Sequence, residues 1–193
     1  MITAARRLFR EQGYLGTALS DVVTESAAPR GSMYFHFPGG KEELATEVTL
    51  LHGADVIAHI NRVAGATETA AEFIRAFLGR FRDEIVASDY REGCAVAPIV
   101  IESTPTSASL SAVTQRAFRD LVATLTARLE EKAVPHESAK ALALNTVTSM
   151  EGALIVSRVL RSPEPFDTAI TALADIAQRC HETVTTPLAW EGH

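Results

Sequence analysis

The sequence predicts an all-α protein of about nine helices, and three observations carry that expectation. Apolar residues recur at helical spacing almost throughout the 193 residues, no stretch sustains strand-like alternation between hairpin turns, and glycine, proline or hydroxyl-rich breaks separate the periodic runs. The first helix carries Ala4, Ala5, Leu8 and Phe9 on one side and ends at Gly13, because glycine accepts the left-handed conformation after a helix at little steric cost. Thr17 is expected to cap a second helix through its hydroxyl, with Asp21 adding negative charge at the positive helix end and Leu19, Val22 and Val23 forming the buried side. A third runs from Pro29, whose missing N–H suits a first turn, to Phe37. It is too short to be stable alone, so packing on its neighbours must hold it. The connection Ser26-Ala27-Ala28 contains no glycine and is expected to turn with a different shape.

After Pro38-Gly39-Gly40 a fourth helix starts at Lys41-Glu42-Glu43 and runs to about Val63, bridging a small unit, residues 1–46, and a larger one, residues 47–193. Thr67 is expected to open a fifth helix in which Phe73, Phe77, Phe81 and Ile85 recur every four residues, and Asp89 to Gly93 break it. A short sixth helix from Cys94 to Glu102 carries Pro98, either in its first turn or at a kink, and Ser103 to Ser109 form a polar loop. The seventh aligns Val113, Ala117, Leu121, Leu125 and Leu129. The eighth, His136 to Leu160, holds a single ionisable side chain, Glu151, between Lys140 and Arg158, so it must be covered on nearly all sides. The ninth, Glu164 to Val184, presents Phe166, Ile170, Leu173, Ala177, Cys180 and Val184 on one face, and Thr185 to His193 read as a frayed tail.

Gly13-Tyr14 to Val23 followed by Pro29 to Phe37 reads as two short helices joined by a tight turn, the second built to lie against nucleic acid. Taken in order, Ala5 to Phe9, Gly13-Tyr14, Thr17, Gly31-Ser32-Met33-Tyr34-Phe35-His36-Phe37 and Lys41-Glu42-Glu43-Leu44 resemble the DNA-binding half of the TetR family of bacterial transcriptional repressors. The succession covers the first quarter of the chain, and its consistent order and spacing make it far more specific than a lone helix-turn-helix. The resemblance implies a two-domain homodimer whose N-terminal unit binds a double-stranded operator and whose remainder senses a small molecule.

Net charge tempers that expectation. The chain carries −6, and residues 1–47 hold Arg6, Arg7, Arg10, Arg30 and Lys41 against Glu11, Asp21, Glu25, Glu42, Glu43 and Glu47. Binding must therefore rely on local placement, with basic groups on the groove-facing surface and Glu11, Glu25 and Glu47 pointing elsewhere. Tyr34, His36, Lys41 and Thr17 are residue types that hold phosphates, against a bland reading as polar tips of a small aromatic core. Arg30 is the best base reader, because its planar fork matches guanine. Ser32 can donate or accept, and Pro29 and Phe35 can touch a thymine methyl. Met33 and Phe37 belong to the core.

On the fourth helix His52, Asp55 and His59 share one face, continuing the line of Leu44 and Val48. A solvated face, the polar groups of a ligand pocket and a metal site all fit that spacing. With Phe77, Phe81, Ile99, Phe118 and Met150 the trio forms the expected wall of an effector site. Glu151 is either paired across an interface or available to a cationic ligand. The eighth and ninth helices are expected to form a four-helix bundle with their symmetry mates, using Gly152, Ala153, Val156, Ile170 and Leu173.

Catalytic signatures fail. Gly40-Lys41 lacks both the earlier glycine of a P-loop, since position 35 is Phe35, and the following hydroxyl; His181-Glu182 has no second histidine at the required place, and no Gly-x-Ser-x-Gly or Cys-x-x-Cys occurs. The expectation is a cofactor-free, metal-free regulator. Cys94 stands at a helix start, which can lower a thiol pKa, but a buried, inert cysteine is the favoured reading; it and Cys180 read as free thiols in a reducing cytoplasm. Ala141 to Leu160, the most apolar run, is too polar for a membrane span. The rivals are a helical ligand- or partner-binding dimer whose DNA binding is weak because no basic arm precedes the first helix, and a helical enzyme sharing the fold.

Overall fold

Two separate sets of buried side chains organise the chain, and helices shared between them tie the sets together. The computed structural model describes residues 1–29, 31–103 and 106–185, with side chains as far as Cys180. Among the described residues there are nine helices and no strand: α1 Ile2–Gln12, α2 Leu19–Glu25, α3 Ser32–His36, α4 Gly40–Ala66, α5 Ala70–Ala87, α6 Ala97–Ser103, α7 Ala108–Glu130, α8 His136–Leu160 and α9 Glu164–Thr185. None is long and apolar enough to cross a membrane.

The first cluster gathers Ala5, Leu8 and Phe9 of α1, Tyr14, Val22 of α2, Met33 of α3, Phe37, and Leu44, Ala45 and Val48 of α4. It does not close within the N-terminal helices, because Ala95, Ile99 of α6 and Leu110 of α7 are buried in it as well. Ile99, expected at an effector wall, is therefore an anchor that plugs α6 into the helix-turn-helix unit. The entry to α2 depends on glycine. Gly13 ends α1 at φ 83°, and a Cβ on Gly16 would lie 2.3 Å from the Gln12 carbonyl oxygen.

The larger cluster is built by α4, α5, α7, α8 and α9, with Phe73, Ile74, Phe77 and Leu78 of α5 fully buried at its centre. In this cluster α9 lies against α5 and α8. The face of α9 bearing Phe166, Leu173 and Ala177 is buried there, with Ile170 and Cys180 half-buried beside it, so the expectation that this stripe needs a symmetry mate is overturned. Ala153 and Leu173, assigned to a dimer contact from sequence, are likewise buried in the chain's own core. Gly152 and Val156 remain exposed, next to Leu144, Ile155 and Val159 on the uncovered side of α8.

Helix ends differ from expectation where several hydroxyls compete. Thr69 caps α5, exchanging hydrogen bonds with Glu72, while Thr67 ends α4 and donates to the Val63 carbonyl at 2.8 Å. Pro98 sits in the first turn of α6, where its missing N–H does no harm. Cys94 precedes that helix, and its Sγ accepts the amide hydrogens of Val96 and Ala97. Burial, and the Glu151 carboxylate beside it, push the Cys94 thiol pKa up rather than down, which disfavours the reactive thiolate.

Candidate nucleic-acid interface and effector cavity

The helix-turn-helix begins with a cap that sequence alone misassigned. Ala18 is the N-cap of α2, and the Asp21 carboxylate accepts its backbone amide at 3.1 Å. Thr17 is only 1% exposed and donates its hydroxyl to the Gly13 carbonyl at 2.8 Å. It is a post inside the turn, with no hydroxyl left to meet a phosphate. Between α2 and α3 the glycine-free connection keeps left-handed geometry after all, with Ala27 at φ 51° and the Ala28 amide bonded to the Val23 carbonyl.

The third helix is shorter than expected. Pro29 lies ahead of it, and its carbonyl accepts both the amide and the hydroxyl of Ser32. Met33 is the one buried side chain within α3, and Phe37 caps its end in the core. Tyr34 and Phe35 are 71% and 81% exposed, and His36 stands edge-on to Phe35 with ring centroids 5.1 Å apart. Single buried anchors hold this turn while three aromatic rings project from it, an arrangement that serves no core. Pro29 is exposed and Ser32 half-buried on the same segment, and Arg30 lies outside the described residues.

Lys41, in the first turn of α4, lies against the turn between α1 and α2. Its Nζ lies 4.6 Å over the Tyr14 ring and 3.4 Å from the Leu15 carbonyl oxygen. Burial holds its pKa below the ordinary lysine value, against the opposing pull of Glu102 and Asp21. The motif tyrosine is thus a platform for the lysine, a role its spacing did not disclose.

The arginines of α1 do not face outward as a basic patch. Arg7 pairs with Glu11 and Glu25. Arg6 reaches Asp55 of α4 at 3.5 Å, and Arg10 pairs with Glu84 of α5 and with Glu92, both at 2.8 Å. Arg80 closes the chain of charges, 2.6 Å from Asp55 and 2.7 Å from Glu84. Burial opposes the charge of Asp55 and of Glu84, yet the arginine hydrogen bonds and charges hold both carboxyl groups below their usual pKa. Asp55 is therefore a junction between α1 and the larger cluster and not a pocket wall.

The histidines flanking it turn inward, which overturns the reading of a solvated face. His59 stacks on Phe77 and its Nε2 meets the Phe77 carbonyl oxygen at 3.2 Å. Phe81 stands edge-on to both rings, so His59, Phe77 and Phe81 form an aromatic core. His52 instead lines a cavity of about 30 Å³, with Gly53, Val56, Cys94, Val96, Ala117, Phe118, Leu121, Met150 and Glu151. Of the expected wall residues, His52, Phe118 and Met150 are brought together there. Phe81 borders a smaller void on the far side of His52. The His52 Nδ1 is buried without a partner, and burial, aided by Arg6 and Arg10, lowers its pKa to about 4. Sites for drug-sized ligands run to roughly 300–1,000 Å³, so this cavity admits an effector only by moving its walls.

Two segments of the chain match known families. Residues 1–48 match bacterial regulatory proteins of the tetR family, and residues 70–172 match the C-terminal domain of LmrA/YxaF-like transcriptional regulators. The chain is 34% identical over 176 residues to the uncharacterised helix-turn-helix regulator Rv0196 of Mycobacterium tuberculosis, covering 86% of this chain and 87% of that one. It is 29% identical over 179 residues to the regulator LmrA of Bacillus subtilis, covering 93% and 95%. Among solved structures, a TetR transcriptional regulator from Legionella pneumophila superposes with a TM-score of 0.79 at 20% identity, covering 91% of this chain and 94% of that one. The matched families and relatives are transcriptional regulators and not enzymes.

Proposed function

This chain belongs to the TetR family of bacterial transcriptional regulators, with a helix-turn-helix DNA-binding domain, and from that premise we propose that it is a repressor released from its operator by a small-molecule effector. The observation that carries the reading is α3, whose Tyr34, Phe35 and His36 are exposed while Met33 alone anchors the turn. A short helix so arranged suits entry into the major groove, with residues 29–37 at the bases and Tyr34, His36 and Lys41 at the phosphates. In this reading residues 1–46 bind DNA, residues 47–193 bind the effector and a second subunit, and the protein acts in the cytoplasm. The uncovered apolar side of α8 supports a two-fold dimer, since Leu144, Ile155, Val156 and Val159 have no intrachain cover.

Selection of binding sites from random duplexes tests the proposal. Lys41→Ala should weaken all sequences alike and reduce the salt slope by about one, whereas Arg30→Ala should relax one base position at a cost of about 1–3 kcal/mol. No selected sequence, or none whose binding depends on salt, overturns the regulator reading. Release by an effector requires reciprocity: the operator must weaken effector binding by the factor by which the effector weakens operator binding. A second reading, a ligand- or partner-binding dimer with weak DNA affinity, draws support from the engagement of Arg6, Arg7 and Arg10 by acids, and the same selection decides between them.

A further inference from the structure

We propose that the effector is a lipophilic cation, an ammonium group on an aromatic or aliphatic body, held in the cavity between α4, α7 and α8 with the Glu151 carboxylate as its counter-charge. The inference rests on the reading of that cavity as the effector site.

Three observations lead to it. The cavity walls are apolar apart from Glu151, His52 and Cys94, and Glu151 is the sole carboxyl group among them. Its carboxylate meets the Cys94 thiol, and it forms no ion pair among the described residues. Glu151 also borders a groove between α1 and α8, and the two cations there, Arg10 and Arg158, are engaged elsewhere. Arg158 donates to the carbonyl oxygens of Glu11 at 2.7 Å and Arg10 at 3.5 Å, and Arg10 is held by Glu84 and Glu92.

His52, on the opposite wall, does not supply the missing charge. Its buried Nδ1 has no partner, and its low pKa keeps the ring neutral near pH 7. A half-buried carboxyl group with no counter-charge beside it is costly to ionise, and its desolvation accordingly raises the Glu151 pKa. A cationic ligand supplies the counter-charge and makes the ionised form favourable. Within the cavity an anion would meet the same carboxyl group with no Lys or Arg in the wall; Arg119 and Lys140 line only the open groove outside Phe118, so the head-group position is what the test must read.

Room for the body of such a ligand lies behind Phe118. This ring lines the cavity and also an open groove of about 680 Å³ between α7 and the start of α8, so it is the partition between the two. Phe118, Leu121 and Met150 give the ligand aromatic and flexible aliphatic contacts.

Calorimetric titration of the full chain with phenylbutylammonium, phenylbutanol and phenylbutanoate, matched in shape and different in charge, tests the proposal. Wild-type protein should bind the ammonium about tenfold or more tightly than the alcohol, and the carboxylate least well. Glu151→Gln should bring the ammonium to the affinity of the alcohol. The three-ligand comparison on wild type stands on its own even where that variant folds poorly, which a thermal melt reveals. Equal or tighter binding of the alcohol or the carboxylate, persistence of the ammonium preference in folded Glu151→Gln, or no ammonium binding by folded wild type overturns the proposal. Operator release is measured separately. A Glu151-dependent ammonium preference without operator release supports the cation site and defeats the induction reading; release by neutral or anionic compounds alone does the reverse.

Discussion

The carboxylate of Glu102, on α6, accepts the amide hydrogen of Leu15 at 2.5 Å, in the turn between α1 and α2. Just ahead of the same short helix, Cys94 lines the cavity that His52 and Glu151 share. Glu102→Ala should leave the Leu15 amide without its acceptor and cost about 1 kcal/mol, with Glu102→Gln recovering part of that. Hydrogen exchange reads the effect directly: Leu15 should exchange about fivefold faster in Glu102→Ala, and unchanged protection would remove Glu102 from this role.

The charge junction at Asp55 makes stability depend on acid pH. Its folded-state pKa and that of Glu84 are depressed, so their contribution is complete above the unfolded carboxyl values, about 4, and is lost as pH falls through the lower folded values. Asp55→Asn should destabilise by about 1–2 kcal/mol near pH 7, an amount moderated by the partial exposure of the pair. The stability difference between the two proteins in denaturant titrations should begin to shrink as pH falls past about 4 and vanish below the depressed folded values, and a difference independent of pH would show that Asp55 acts by packing alone.

Ala27 occupies a left-handed turn without the glycine that accepts it freely. Relief of roughly 1–2 kcal/mol of backbone strain in Ala27→Gly outweighs the roughly 0.5–1 kcal/mol lost to unfolded-chain entropy. The variant should be more stable by about half to one kcal/mol in chemical denaturation, and a less stable variant would refute the strain.

Association should depend on the outward side of α8. Val159, 76% exposed, has no place in the protomer core, so Val159→Glu should leave the monomer folded and shift sedimentation from dimer to monomer. Ile170→Glu is a different experiment, because Ile170 packs against the chain's own core and the charge there should lower thermal stability.

Much of this architecture is legible in the sequence for one physical reason. Stripes such as Phe73, Phe77, Phe81 and Ile85 follow the period of a helix, and the period survives whatever the helix packs against. What covers a stripe is not periodic. Phe166 and Leu173 read as equally fit for a partner subunit or for α5, and α5 covers them. Asp55 and His52 lie three residues apart on one helix face, yet one meets two arginines and the other lines a cavity. Those arginines sit on α1 and α5, far away in the chain. Thr67 and Thr69 are equally good caps on paper, and only Thr69 has Glu72 three residues on to complete the exchange.

The engagement of the α1 arginines also bears on how the protein finds its site. Each guanidinium held by a protein carboxylate is one fewer cation to displace ions from the duplex, and affinity for random sequence rises with the number of such displacements. A regulator so equipped should linger little on irrelevant chromosome. Its residence at a promoter would then be set by contacts from residues 29–37, and occupancy should change modestly when cellular ionic strength rises or falls.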